Sequence, residues 1–221
     1  MKVINFNEVK STVGKNMKRM IYEELIKKLE AKPAKDYVVK EAEVLADKVL
    51  EIGGYTGKSG RIPIIRIAKD FEFVTYKAKN MPDTISGNIF VDGSTRNDYD
   101  NDKVIIVGAD EPLAHQRFII AHELAHYLLG YIGSDNYKKS DYTFSKTYPK
   151  VNHNSMEEIR ADRFAAELLM PRKVFLAEYL KALKNSDFSK GYVITYLAEL
   201  FKVKESCVRR RIEEVSEYVE G

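Results

Sequence analysis

The chain contains 221 residues, of which 44% are hydrophobic and 31% are charged, a composition typical of a soluble globular protein with a substantial buried core. The formal net charge of +3 is too small to indicate nucleic-acid binding by itself. No apolar run is long enough to span a bilayer, and the N-terminal sequence MKVINFNEVK has no signal-peptide block, so we expect a cytoplasmic protein without membrane association. The single cysteine, Cys207, excludes an internal disulfide and a cysteine-based zinc site.

Two amphipathic helices are predicted at the start of the chain. Apolar residues recur at helical spacing over residues 16–30 and, after Pro33, over residues 38–52. The glycine-rich run over residues 53–60 then predicts a flexible linker. It resembles a phosphate-binding loop, but Ile52 stands where that motif needs its first glycine, and a helical pattern precedes it instead of a strand. We therefore reject a nucleotide site.

A small group of strands is predicted in the middle of the chain. Residues 62–68 favour a short helix entered through Pro63. Alternating apolar residues then favour three strands, at residues 71–75, 85–92 and 103–107. Helical patterns on both sides of these strands indicate an α+β fold with a small mixed or antiparallel sheet of about three strands.

A further helix is predicted after the last strand. Asp110 is a candidate cap for it, Pro112 suits its first turn, and Gly130 is expected to end it. The next segment, residues 133–154, is polar and rich in tyrosine and predicts an irregular loop. Four more helices are predicted after this loop, over residues 156–170, 173–184, 191–201 and 204–219.

The most informative motif is the run HELAH at residues 122–126, in the helix that follows the last strand. His122 and His126 lie one turn apart on one helix face, so both imidazoles can bind one metal ion. Glu123 lies about 100° further round the helix. From there its carboxylate can act as a general base on a water molecule without being a ligand. The motif predicts a zinc site of the kind that hydrolyses peptide bonds.

A catalytic zinc ion usually has three protein ligands, so the two histidines need a third. No histidine follows about ten residues after the motif, which disfavours a three-histidine site and favours a glutamate from a second helix. The candidates for the third ligand are His115, His153, Glu157, Glu158 and Asp162.

Glu158 is the preferred third ligand because of its position on the second helix. It shares one face with Asp162 and two alanines, and small side chains on that face allow close approach to the motif helix. Asp162, one turn after Glu158, can accept a hydrogen bond from a ligating histidine and fix its orientation. Glu157 remains an alternative, although its face carries bulkier side chains. Ser155 and Glu158 also fit a helix-capping box, which needs no metal.

These side chains predict a hydrolytic mechanism. A zinc ion bound by His122, His126 and Glu158 would lower the pKa of a water molecule and polarise the scissile carbonyl. Glu123 would accept the proton of that water and pass it to the leaving amine. The loop between the two helices is expected to supply an oxyanion donor, although ordinary packing remains the alternative role for each candidate. The candidates are Tyr137, Tyr142, Tyr148 and His153.

Two blocks of the sequence resemble the ImmA/IrrE family of metallopeptidases. Residues 115–129, HQRFIIAHELAHYLL, resemble the family's RF-x-x-AHELGH block, with Ala125 in place of the glycine. Residues 158–171, EIRADRFAAELLMP, resemble its second block, E-x-x-A-[ND]-x-FA-x-x-LLMP. Flanking positions extend the resemblance over residues 62–215.

The resemblance implies a zinc-dependent cytoplasmic protease with a zincin-like α+β core. It assigns zinc to His122, His126 and Glu158, and the general base to Glu123. Members of the family typically cut a helix-turn-helix repressor encoded nearby, which releases genes of a mobile element, a prophage or a stress response. Three parts of the chain are expected: an N-terminal helical segment with its linker (1–60), a metallopeptidase core (61–171) and a C-terminal helical subdomain (172–221).

Two other functions remain open. A non-proteolytic regulator with a structural zinc could bind DNA or a protein partner, because residues 191–215 could form a helix-turn-helix whose Arg209, Arg210 and Arg211 face phosphates. Acidic residues in the same helix weaken that interpretation, so we do not expect direct nucleic-acid binding. A toxin-like role in a toxin–antitoxin pair is the other alternative.

Overall fold

The computed structural model describes residues 35–81, 86–91, 96–130, 156–184 and 190–216. Within these ranges the chain forms eight helices and a three-stranded sheet, which confirms the predicted α+β class. The predicted helix over residues 16–30 lies outside them. In chain order the elements are α1 (Lys35–Gly53), α2 (Ile64–Asp70), β1 (Val74–Ala78), β2 (Gly87–Phe90), α3 (Arg96–Tyr99), β3 (Val104–Gly108), α4 (Leu113–Leu128), α5 (Met156–Leu169), α6 (Arg172–Leu183), α7 (Lys190–Phe201) and α8 (Glu205–Ser216).

The sheet is mixed and has the strand order β1–β3–β2. The central strand β3 is buried along its whole length, which explains its uninterrupted apolar sequence. It pairs in parallel with β1, where Val74 lies opposite Val104, and antiparallel with β2, where Gly87 lies opposite Val107. Among the described residues β2 pairs only with β3, so it forms one edge of the sheet.

Helix α4 is the centre of the hydrophobic core. It contacts β2, β3 and α5, and its residues Ala121, Leu124 and Ala125 are fully buried. Helix α1 packs along α5 and adds Ala42 and Leu45 to the same core cluster. Apolar burial of this kind contributes about 25 cal/mol per Å² of covered surface. The α1 helix therefore shares its core with the elements that carry the HELAH motif.

Strand β1 begins three residues later than the sequence predicts. The N–H groups of Phe71 and Phe73 both donate to the carbonyl of Ala68, and Glu72 adopts a left-handed conformation with φ of 71°. These residues close the C terminus of α2, so their alternating pattern reflects a helix cap and not a strand. The prediction of a strand over residues 71–75 is correct only for its last two residues.

The start of helix α4 also differs from the prediction, because Asp110 does not cap it. Pro112 occupies the position before the first helical residue, and no side chain caps the helix there. Instead, the side-chain amide of Gln116 donates through Nε2 to the carbonyls of Gly108, Ala109 and Glu111, which fixes the turn between β3 and α4. Gly130 does end the helix as predicted, in a left-handed conformation with φ of 78°.

The C-terminal helices are joined to the rest of the protein by a buried arginine. Arg211 of α8 is only 1% exposed, and its Nε and Nη2 atoms lie 3.1 and 3.0 Å from the carbonyl oxygen of Met170. Its guanidinium also bonds the carboxylates of Glu167 and Glu214. This network ties the last helix to the C-terminal end of α5.

Candidate metal centre

Two histidines of α4 face the adjacent helix α5. His122 and His126 are one helical turn apart, and their Nε2 atoms are 3.0 Å from each other. His126 is fully buried, and His122 is nearly so. The HELAH spacing therefore brings both imidazoles to one point, as predicted.

Glu158 of α5 completes a set of three donors. Its carboxylate oxygens lie 3.1 Å from Nε2 of His122 and 3.4 Å from Nε2 of His126. A tetrahedral zinc ion with bonds of about 2.0–2.1 Å holds its ligand atoms roughly 3.3 Å apart, so these separations fit a metal ion. The candidate ligand atoms of all three residues lie within 4.8 Å of one another. These side chains could hold a metal ion without rearrangement of the helices.

The other candidates for the third ligand lie elsewhere. Glu157 is exposed on α5, and only its neighbour Glu158 is directed at both histidines. His115 is one turn into α4, where its Nδ1 lies 2.6 Å from the carboxylate of Glu111. His153 falls outside the described residues, as do the oxyanion candidates Tyr137, Tyr142 and Tyr148.

The other ring nitrogen of His122, Nδ1, is hydrogen-bonded to Asp162, which in turn is bound by Arg210. Asp162 Oδ1 is 2.9 Å from Nδ1 of His122, the position predicted for an orienting carboxylate. The second oxygen of Asp162 is 3.3 Å from Nη1 of Arg210, which comes from α8. The C-terminal helix therefore contributes to the surroundings of the candidate ligands.

The carboxylate of Glu123 lies beside the three donors but is not one of them. Glu123 is only 5% exposed, and its Oε2 atom has no hydrogen-bond partner among the described residues. Burial raises the pKa of this carboxyl to about 7. A buried carboxylate with a free acceptor atom and a pKa near neutrality is suited to general-base chemistry.

A glycine of the edge strand allows β2 to approach this carboxylate. A Cβ atom at Gly87 would lie 2.2 Å from Cγ2 of Ile119 and 3.4 Å from Oε1 of Glu123. The first contact is too short for any side chain, so only glycine fits between the strand and α4. In the sequence, Gly87 interrupts a predicted strand and forms part of the resemblance to ImmA/IrrE proteins, and the structure places it against the candidate base.

Unequal surroundings separate the pKa values of the two histidines. Burial acts to lower the pKa of His122, but its hydrogen bonds with Asp162 and Glu158 outweigh this effect and raise it to about 10. Burial and then the neighbouring His122 lower the pKa of His126 to about 3. Burial acts to raise the pKa of Glu158, yet the hydrogen bond with His122 holds it below its usual value. Without a metal, the pair therefore carries one positive charge at neutral pH, on His122.

A comparison with known families agrees with this geometry. A family model for peptidases of group M78, described as the IrrE N-terminal-like domain, matches residues 89–213, which is more than half of the chain. The chain belongs to this IrrE-like family. The resemblance inferred from the two sequence blocks is thereby confirmed. None of the curated proteins compared with the chain matches it.

The match to the IrrE-like domain spans all the elements that form the candidate centre except the start of β2. It includes the histidine pair, Glu158, Asp162 and Arg210, whereas α1, α2 and β1 precede it. Within the described part of this IrrE-like chain, no helix combines the length and the apolar character needed to cross a membrane.

The three arginines of α8 are engaged within the protein. Arg211 is buried, and Arg210 contacts both Asp162 and Glu214. Arg209 is exposed, with a guanidinium nitrogen 3.6 Å from a carboxylate oxygen of Glu205. Arg211 is therefore not accessible to a phosphate, whereas Arg209 and Arg210 are both more than half exposed and each is paired with a carboxylate.

Proposed function

We propose that this protein is a cytoplasmic zinc-dependent endopeptidase that cleaves a helix-turn-helix repressor and so releases mobile-element, prophage or stress genes. The observation that carries the peptidase activity is the buried carboxylate of Glu123 beside a three-donor set, with an Oε2 atom that has no hydrogen-bond partner among the described residues. A structural metal site needs no such base, whereas a hydrolytic site does. The substrate class rests on the resemblance to ImmA/IrrE proteins, whose members typically cut such repressors.

His122, His126 and Glu158 would hold the zinc ion. When bound, zinc would supply a Lewis acid that activates water and polarises the scissile carbonyl. Asp162 accepts a hydrogen bond from the Nδ1–H group of His122, which directs the lone pair of Nε2 towards the other two donors. Glu123 takes up the proton released as water attacks and delivers it to the leaving amine.

The edge of the sheet that β2 forms among the described residues supports an extended substrate. A peptide segment that adds to a sheet edge gains main-chain hydrogen bonds, which are independent of its sequence. Gly87, at the start of β2, adjoins both α4 and Glu123. A strand bound along this edge would therefore pass the candidate base with its backbone extended.

The proposal is tested by a matched pair of substitutions, Glu158→Gln and Glu157→Gln. Both remove one negative charge from the first turn of α5, but only the first removes a donor from the set. We expect Glu158→Gln to lower zinc affinity by about a hundredfold and to abolish cleavage, and Glu157→Gln to change neither. Zinc content is measured after dialysis, and cleavage is followed with the helix-turn-helix protein encoded beside this gene. Cleavage that persists in Glu158→Gln, or in wild type with a chelator, contradicts the proposal.

Zinc binding should also release a proton. His122 has a raised pKa and is protonated at neutral pH without metal, but it must lose that proton to become a ligand. We expect about one proton per zinc ion at pH 7, and an affinity that rises about tenfold per pH unit between pH 6 and 7. Calorimetric titration in buffers with different ionisation enthalpies measures the released protons. A heat that does not depend on the buffer contradicts the prediction.

A further inference from the structure

A cavity lies on the opposite side of α4 from the histidine pair. Its volume is about 730 Å³, within the range of small-molecule sites. Leu113, Arg117 and Ile120 line it from one face of α4, and His122 lies about 140° further round the helix than Arg117. Strand β1 and the α7–α8 connection form the other walls, and no residue of the candidate metal centre lines it.

Arg117 brings an uncompensated positive charge to this cavity. It is only 7% exposed; its Nε donates to the carbonyl of Lys202 at 3.0 Å, while its buried Nη2 has no hydrogen-bond partner among the described residues. Burial, and then the nearby charge of Arg61, lower the pKa of Arg117 to about 10, so it is still charged at neutral pH. Leaving a buried charged donor unpaired is unfavourable, and an anion in the cavity beside the Arg117 guanidinium would reduce that cost.

The acidic residues of the cavity do not neutralise these arginines. Glu199 forms an ion pair with Lys202 at the C-terminal end of α7. Glu205 accepts a hydrogen bond from Thr195 at 2.6 Å and pairs with Arg209. Neither carboxylate bonds Arg61 or Arg117, so within the described part of the chain the cationic end of the cavity has no anionic partner.

Apolar surface predominates in the cavity, which is open at its mouth. Leu113 and Ile65 are 70% and 52% exposed, although both are large aliphatic side chains and both line the cavity. Exposed aliphatic side chains that adjoin a concave surface mark a binding site for an apolar group. Helix α4 also begins at Leu113 without a side-chain cap, and the N terminus of a helix attracts negative charge.

We propose that this cavity binds a small amphipathic anion, with a carboxylate or phosphate group paired to Arg117 and Arg61 and an apolar body against Leu113, Ile65 and Ile120. A nucleic-acid strand would need an extended row of cations on the surface, whereas this site is a concave cavity with mostly apolar walls. No residue of the candidate metal centre lines this cavity, so the proposal does not rest on the proposed peptidase activity.

The probe is 8-anilinonaphthalene-1-sulfonate, an anion with an aromatic body, whose fluorescence is titrated on the full chain in the presence of chelator. Competitors separate the contributions: decanoate and decyl phosphate carry both features, decanol lacks the charge, and acetate lacks the apolar body. We expect one or both amphipathic anions to displace the probe at concentrations at least about tenfold lower than decanol or acetate. The more effective of the two identifies the anionic group. Equal displacement by decanol and decanoate overturns the proposal.

Substitutions locate the binding. Arg61→Gln and Leu113→Gln change exposed side chains, so the fold should be retained, and each should weaken displacement by decanoate about fivefold or more. Arg66→Gln is the matched control, because Arg66 is exposed on the neighbouring helix α2 and does not line the cavity. Thermal unfolding checks that all variants are folded. If Arg61→Gln and Leu113→Gln both bind the probe and decanoate as Arg66→Gln does, the anion binds elsewhere and the proposal is wrong.

Discussion

Replacing Glu123 by glutamine is expected to lower the rate of peptide cleavage by about a thousandfold or more, with zinc affinity and stability little changed. Glutamine has nearly the same shape but cannot accept the proton of the attacking water. The carboxylate is not among the three donors, and its Oε2 atom has no hydrogen-bond partner in the described structure, so the substitution breaks no contact at that atom. Cleavage is measured under single-turnover conditions with metal-loaded protein.

Two measurements keep that result interpretable. Zinc content must match wild type, because loss of metal would abolish cleavage for a different reason. Glu157→Gln, which changes an exposed carboxylate of α5, should cleave as wild type does. A Glu123→Gln variant that binds zinc and cleaves at more than a tenth of the wild-type rate would show that Glu123 is not the general base.

Replacing Arg211 by methionine is expected to lower the free energy of unfolding by about 3–5 kcal/mol. The substitution retains an unbranched side chain but removes the cation that lies between two buried carboxylates, Glu167 and Glu214, and it leaves the carbonyl of Met170 without these donors. Breaking one side of a buried ion pair is costly because the remaining charges stay desolvated. Urea unfolding followed by circular dichroism measures the change.

The neighbouring Arg209 supplies the control for this experiment. Its side chain is 57% exposed, and its ion pair with Glu205 has a separation of 3.6 Å. Arg209→Met should therefore change the free energy of unfolding by less than about 1 kcal/mol. A loss of similar size in both variants would show that helix propensity, and not the buried network, determines the effect.

Features set by local spacing could be predicted from the sequence. The i, i+4 relation of His122 and His126 needs only a regular helix, and α4 is one. The shared face of Glu158 and Asp162 follows from the same periodicity in α5. A shared metal site also required α4 and α5 to pack together. The small side chains on the face of α5 that carries Glu158 and Asp162 indicated this packing.

Features set by long-range contact could not be predicted. Arg210 reaches Asp162 across 48 positions of sequence, and nothing in the pattern of α8 distinguishes Arg210 from the exposed Arg209 or the buried Arg211. The unpaired charge of Arg117 is equally hidden, because it depends on which carboxylates lie near it in three dimensions. The prediction of a strand over residues 71–75 failed for a different reason. The residues that close the C terminus of α2 have the same alternation of apolar side chains as a strand.

The hydrogen bonds that Asp162 accepts from His122 and from Arg210 have a thermodynamic consequence. Since the C-terminal helix helps to hold a candidate ligand, metal affinity and docking of that helix are linked, and linkage is reciprocal. A bound ion would stabilise the docked helix by the same free energy with which the docked helix stabilises the ion. Any partner that draws this helix away from α5 would therefore weaken metal binding without touching a ligand.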